Sequence, residues 1–285
     1  MMREQPGAGS LADIPEAFYR FDQHPIYKQL RIMNDGAQRL GISSPFFKQH
    51  DGIAAASTSI GGRELINFGS YNYLGFSGDP LVAAAAKAAI DRYGTSVSAS
   101  RIVSGERPVH RELETALAAH YDVEDAVTFV SGHATNVTTI GHLFGPRDLV
   151  VHDAFIHNSS LQGIQLSGAK RLAFAHNDWA ALDELLAAQR RNFERVLIVL
   201  EGIYSMDGDF PDLPRFVEIK QRHRAFLMVD EAHSLGVLGA RGYGIREHFG
   251  LAGRDVGQRR AGTAIRHMDQ LHPGQVAEHL AGQVR

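Results

Sequence analysis

Short apolar runs alternate with longer amphipathic stretches through the middle of the chain. Ala126–Val130, Leu149–Val151, Leu172–Phe174, Val196–Leu200 and Phe226–Val229 are strand-like. Between most of them the spacing predicts helices, over 133–144, 157–167, 178–191 and 213–223. Strand and helix alternating at this interval predict an α/β domain with a largely parallel sheet. Two more helices are expected upstream. Asp79 can cap one that starts at Pro80, and Gly94 can close it. The other runs from about Pro108 to Tyr121. Gly61-Gly62 marks a turn, with Leu65–Phe68 a short strand candidate beyond it. Residues 16–42 carry Phe18, Phe21, Ile26, Leu30 and Leu40 at roughly helical spacing, after a leader over 1–15 that reads as flexible. The pattern stops near Val256. Residues 257–285 are rich in Gly, Gln, Arg and His, with at most a weak helix around 264–271.

Composition narrows the classes. With 285 residues, 44% of them hydrophobic and 21% charged, the chain reads as globular, with one or two domains. A formal net charge of -3 leaves no basic footprint for a nucleic-acid backbone and no polybasic membrane patch. The absence of cysteine removes disulfides, thiolate metal sites and thiol nucleophiles. No signal-peptide core is visible, and the longest apolar stretch, Leu81–Ile90, is broken by Lys87 and too short to span a bilayer. A cytoplasmic location is expected. The lysines are few: Lys28, Lys48, Lys87, Lys170 and Lys220, with none after Lys220.

Parallel sheets of this kind bind ligands beyond the carboxyl ends of their strands, so those ends are where chemistry is sought. The first is followed by Ser131-Gly132-His133-Ala134-Thr135-Asn136, a small turn opening a helix, whose free N–H groups and dipole suit an anion. A plain turn would look the same. The second leads into His152-Asp153-Ala154-Phe155-Ile156-His157; the two histidines lack metal-ligand spacing, but one could lie flat on an aromatic ligand. Val196–Leu200 ends in a polar loop, Glu201 to Asp209, that holds Ser205. Phe226–Val229 ends in Asp230, with His233 three residues on; a carboxylate closing a buried strand needs a partner. Ala232-His233-Ser234-Leu235-Gly236 also imitates a hydrolase nucleophile elbow, for which Asp255 or Asp269 and His272 would have to complete a triad. Dinucleotide, P-loop and zinc-protease motifs are absent.

In this order the strand ends resemble the α-oxoamine synthase family of pyridoxal-phosphate enzymes, on the fold shared with class I and II aminotransferases. The resemblance covers about residues 45–256. It includes Asn67-Phe68-Gly69-Ser70-Tyr71-Asn72-Tyr73-Leu74-Gly75, the run from Gly94 to Glu114, Ser205-Met206-Asp207-Gly208-Asp209 and Val229-Asp230-Glu231-Ala232-His233. The run from Gly94 is especially similar to serine palmitoyltransferase-like members. The implied fold is the α/β large domain of an aspartate-aminotransferase-like transferase, with a mostly parallel sheet that is incomplete at its C-terminal end. The implied organisation is a leader and helical segment over 1–44, a partial cofactor-binding domain over 45–256 and a tail over 257–285 outside the family.

The resemblance implies roles as well. Ser131, Gly132 and His133 would hold the phosphate of pyridoxal 5'-phosphate. His157 would stack on its ring and assist catalysis. Asp230 would meet the pyridine nitrogen, Ser205 and His233 the phenolic oxygen, and Asn72 would lie near the substrate. The implied reaction condenses an amino acid with an acyl thioester, on coenzyme A or a carrier protein, with loss of carbon dioxide to give an α-amino ketone. A homodimer is implied. The family's Schiff-base lysine follows the D-x-x-H motif, and no lysine of this sequence matches it. The expectation is therefore an inactive fragment of poor solubility, the alternative being a non-catalytic pseudo-enzyme subunit that pairs with an active partner.

Overall fold

The computed structural model describes residues 11–251 and Val256. Two compact units form: one comprises the chain up to Gly52 together with Thr58–Leu65, the other Ile53–Ser57 and the chain from Ile66 onward. In the first, the helical spacing expected over 16–42 resolves into short 3-10 turns at Glu16–Phe18 and Phe21–Gln23, then helix α1, Pro25–Arg39. His24 caps α1 through Nδ1, which accepts from Ile26 N at 3.3 Å. No residue of α1 is buried. Strands β1, Ser57–Ile60, and β2, Arg63–Ile66, pair across Gly61-Gly62. Both glycines have positive φ, 58° and 77°, as a tight hairpin turn requires. The turn places the second strand two residues earlier than the apolar pattern suggests.

The second unit carries the sheet. Strands β3, Leu149–Asp153, β4, Lys170–Phe174, β5, Val196–Glu201, and β6, Phe226–Asp230, are parallel in the order β4-β3-β5-β6. Helices α2, Pro80–Tyr93, and α3, Pro108–Tyr121, precede them; α4, Gly132–Leu143, leads into β3, α5, Asn158–Ser167, follows it, α6, Trp179–Gln189, follows β4, and α7, Leu213–His223, follows β5. Asp79 caps α2, its Oδ1 accepting from Leu81 N at 2.8 Å, and Gly94 closes it at φ 75°.

The strand side chains alternate between two apolar layers. Leu149, Val151, Val196, Ile198 and Leu200 pack with Leu182 and Leu186 of α6 and Leu213 and Phe216 of α7. Val150, Leu197, Val199 and Met228 pack with Ile140 of α4 and Ile164 of α5. Burial on both faces explains why these strands read as unbroken apolar runs.

One expected strand does not form. Ala126–Val130 is extended but enters no ladder, and Val127 and Val130 are 69% and 96% exposed. Side chains take its backbone groups instead. Thr128 N donates to Glu114 Oε1 at 2.9 Å, and Thr128 O accepts from Arg101 Nη1 at 3.2 Å. Arg101 is also paired with Glu114 at 2.7 Å, which moors the segment to α3.

Candidate functional site

Parallel pairing sets Asp153, Glu201 and Asp230 at one edge of the sheet, each closing a buried strand. Glu201 and Asp230 are register neighbours. Asp230 Oδ2 accepts from Asn136 Nδ2 at 2.8 Å and Oδ1 from Ala232 N at 3.0 Å. Asn136, fully buried on α4, also donates to Ser159 Oγ at 2.9 Å. Ser159 Oγ lies 2.7 Å from His157 Nδ1, and Ser159 N donates to the same nitrogen at 3.2 Å. A continuous line of hydrogen bonds thus runs His157–Ser159–Asn136–Asp230. Two donors at Nδ1 assign the proton of a neutral His157 to Nε2. His157 caps α5, its backbone N–H donates to Glu201 Oε1, and the residue is exposed.

Ser131 caps α4, its Oγ accepting from Ala134 N at 3.1 Å. Gly132 is buried in the first turn, and His133 is exposed with its Nε2 3.1 Å from Gln162 Oε1 of α5. Ser205 lies exposed in a turn closed by Tyr204 N donating to Asp209 O at 2.9 Å and Gly208 N to Tyr204 O at 2.8 Å. His233 Nδ1 meets Tyr73 Oη at 2.8 Å. Asn72 holds its own loop: Nδ2 donates to Ala54 O at 2.7 Å and Oδ1 accepts from Ser77 N at 3.1 Å.

The hydrogen-bond line therefore brings together His157 and Asp230, with Ser131 one turn ahead of Asn136 on α4. His133, Ser205, His233 and Asn72 make bonds outside it. Asn136, Ser159, Glu201 and Tyr73 were not singled out from sequence. Glu201 carries the same signal as Asp230, an acid ending an apolar run; Asn136 and Ser159 read as ordinary small polar helix residues.

The hydrolase alternative fails on geometry. Ser234 is fully buried and its Oγ donates to Glu231 Oε2 at 3.1 Å, whereas an elbow exposes its serine. Asp255, Asp269 and His272 lie outside the described residues, as does the weak helix expected around 264–271.

The family profile "Aminotransferase class I and II" matches residues 63–256. The chain belongs to this family. Within it, relatives and neighbours place the chain among the α-oxoamine synthases. A putative 8-amino-7-oxononanoate synthase of Trichormus variabilis is 43% identical over 205 residues, 72% of this chain and 53% of the relative. One of Gloeobacter violaceus is 43% identical over 204 residues, 72% of this chain and 53% of the relative. The solved serine palmitoyltransferase of Sphingomonas wittichii superposes with a TM-score of 0.76 at 34% identity, covering 82% of this chain and 58% of that one. The chain spans about half the length of the curated relatives it matches. The family is pyridoxal-phosphate-dependent. The α/β fold with its parallel sheet is that of these transferases.

Proposed function

We propose that this chain forms the pyridoxal-phosphate cradle of an α-oxoamine synthase, an acyltransferase joining an amino acid to an acyl thioester with loss of carbon dioxide. The observation that carries this is the hydrogen-bond line from His157 to Asp230. It joins an exposed imidazole to a buried strand-end carboxylate, beside the N-terminus of α4. That donor set fits the cofactor. The Ser131–His133 turn offers backbone donors and a helix dipole for a phosphate. His157 offers a flat ring, and Asp230 an anion for a pyridine nitrogen. Bound there, the cofactor supplies an electron sink for a carbanion formed on the amino acid. Asp230 would keep the pyridine nitrogen protonated, with Asn136 holding the carboxylate through its Nδ2 donor. His157, oriented by Ser159, would hold the substrate face, Ser205 and His233 would serve the phenolic oxygen, and Asn72 orders its own loop, which would border the substrate.

No lysine of residues 1–285 suits covalent anchoring. Lys170 starts β4, at the opposite end of the sheet from Asp230. Lys220 is buried on α7 and donates to Val256 O at 2.8 Å. Lys87 lies in α2, and Lys28 and Lys48 in the other unit. Residues 1–285 therefore bind the cofactor reversibly and do not turn over; pairing with a lysine-bearing partner, as a pseudo-enzyme subunit or in a dimer, is the second reading.

Titrating the 285-residue protein with pyridoxal phosphate, with and without borohydride, tests this. The expected result is saturable binding, weakened at least about tenfold by Asp230→Asn, with no reduced lysine adduct on peptide mapping. Absence of binding, or a stoichiometric adduct at one of the five lysines, rejects the corresponding part.

A further inference from the structure

Three strand-end turns meet on one imidazole. His176, just after β4, lies between Asp153, which ends β3, and Asp209, in the turn after β5. Its Nδ1 is 2.8 Å from Asp153 Oδ1 and its Nε2 2.9 Å from Asp209 Oδ2. Phe155 stacks on the ring with centroids 4.3 Å apart, and buried Tyr204 meets it edge-on at 4.5 Å. Asn177 braces the same pair, its backbone N donating to Asp153 Oδ2 at 2.7 Å and its Nδ2 to Asp209 Oδ2 at 2.8 Å. The turn held on one side leads to His157; the turn held on the other carries Ser205.

We propose that His176 is a positioning residue whose imidazolium locks the turns after β3 and β5 to each other, so setting His157 and Ser205, and that loss of its proton releases the Ser205 turn. The roles of His157 and Ser205 rest on the cradle described above; the lock itself does not. An ionised carboxylate only accepts hydrogen bonds, so each ring nitrogen that bonds one must carry a hydrogen. Neutral imidazole has a single N–H. Both contacts are satisfied together only in the cation. The titratable groups facing the ring are Asp153, Asp209 and the Tyr204 phenol. Burial favours the neutral ring, but the bonds and charges of Asp153 and Asp209 outweigh it and hold His176 above its ordinary value.

The two contacts are unequal. Asp153 is fully buried and also accepts from Phe155 N at 2.8 Å, so it is fixed. The Asp209 side chain is 45% exposed and can turn to water. When Nε2 loses its proton, its lone pair faces Asp209, while Asn177 Nδ2, 3.3 Å away, remains as a donor to it. The Asp209 contact is the one that opens. The lock is therefore closed below the His176 value and opens as pH rises through it.

Long-range nitrogen–proton NMR of the histidine side chains, on the full chain between about pH 5.5 and 9, reads the protonation directly. His176 is expected to titrate above the ordinary histidine value, with both ring protons held below its midpoint. Asp209→Asn should bring its midpoint down towards the ordinary value. Hydrogen exchange should show protection of amides 202–208 falling about tenfold in His176→Asn and, in the native chain, above the His176 midpoint, with β3 amides unchanged. A His176 midpoint at or below the ordinary value, or protection at 202–208 indifferent to both changes, overturns the lock. Pyridoxal-phosphate binding is measured alongside. If the lock behaves as stated and no cofactor binds, the cradle reading fails and the lock stands. If cofactor binds with an affinity indifferent to pH and to His176→Asn, the positioning role fails.

Discussion

At the scale of single residues, the strand-end carboxylates do different work although they look alike in sequence. Asp230 is answered by an amide side chain and a backbone N–H, Asp153 by a histidine and two backbone N–H groups. Glu231, one step beyond Asp230, is a third kind. Burial pushes its carboxyl up to about 7, against bonds from Ser234 Oγ and Ile245 N and the charge of Arg246. The native chain therefore holds a proton that the unfolded chain gives up between about pH 4.5 and 7. The Glu231 contribution to stability is greatest below that window, falls as pH rises through it and is level above it. The fall amounts to roughly 3 kcal/mol. Urea unfolding at pH 5 and 8 should show Glu231→Gln losing much less stability between the two than the native chain; equal losses would reject the assignment. Glu231 also explains Gly244, whose φ is 83° and where an added Cβ would fall onto the Glu231 carboxylate.

At the scale of elements, the sheet and its helices were legible because their residues serve local rules. The helix expected from Asp79 to Gly94 and the one from Pro108 to Tyr121 stand where caps and prolines put them. Four apolar runs became β3–β6; β3, β5 and β6 are buried on both faces, whereas β4, at the sheet edge, buries only Phe174. Ala126–Val130 has the same apolar look, but pairing depends on a neighbour that no local pattern records. Its anchoring instead depends on Glu114, which is 4% exposed and also accepts from Thr128 Oγ1 at 3.1 Å. Glu114→Ala should cost about 2 kcal/mol, since it leaves Thr128 N without its acceptor, and the Thr128 amide should lose its exchange protection. Unchanged protection would show that the segment is held some other way. The candidate site was half legible for a related reason. Asp230, His157 and Ser131 advertise themselves by standing at the ends of elements. Asn136, Ser159 and His176 take their place in these networks through partners 94, 23 and 33 positions away, which no local pattern records.

At the scale of the whole molecule, exposed apolar side chains set the behaviour in solution. Val127 and Val130 are exposed in an unladdered segment, and among the described residues β6 is an edge of the sheet although its side chains are mostly buried. Open backbone edges and apolar surface favour association. The Val127→Lys, Val130→Lys double variant should sediment as smaller species than the native chain at equal concentration, with its melting temperature unchanged; a lowered melting temperature would mean that these side chains are structural. The hydrogen-bond line through Asn136 has a further meaning in the order of synthesis. The helix turn at Ser131 and the cap at His157 emerge from the ribosome first, yet the Asn136 amide has no acid to meet until residue 230 has followed and paired beside β5. On the proposed cradle reading, a nascent chain has no carboxylate to offer a pyridine nitrogen until β6 is in place, and cofactor capture would report that β6 has paired beside β5.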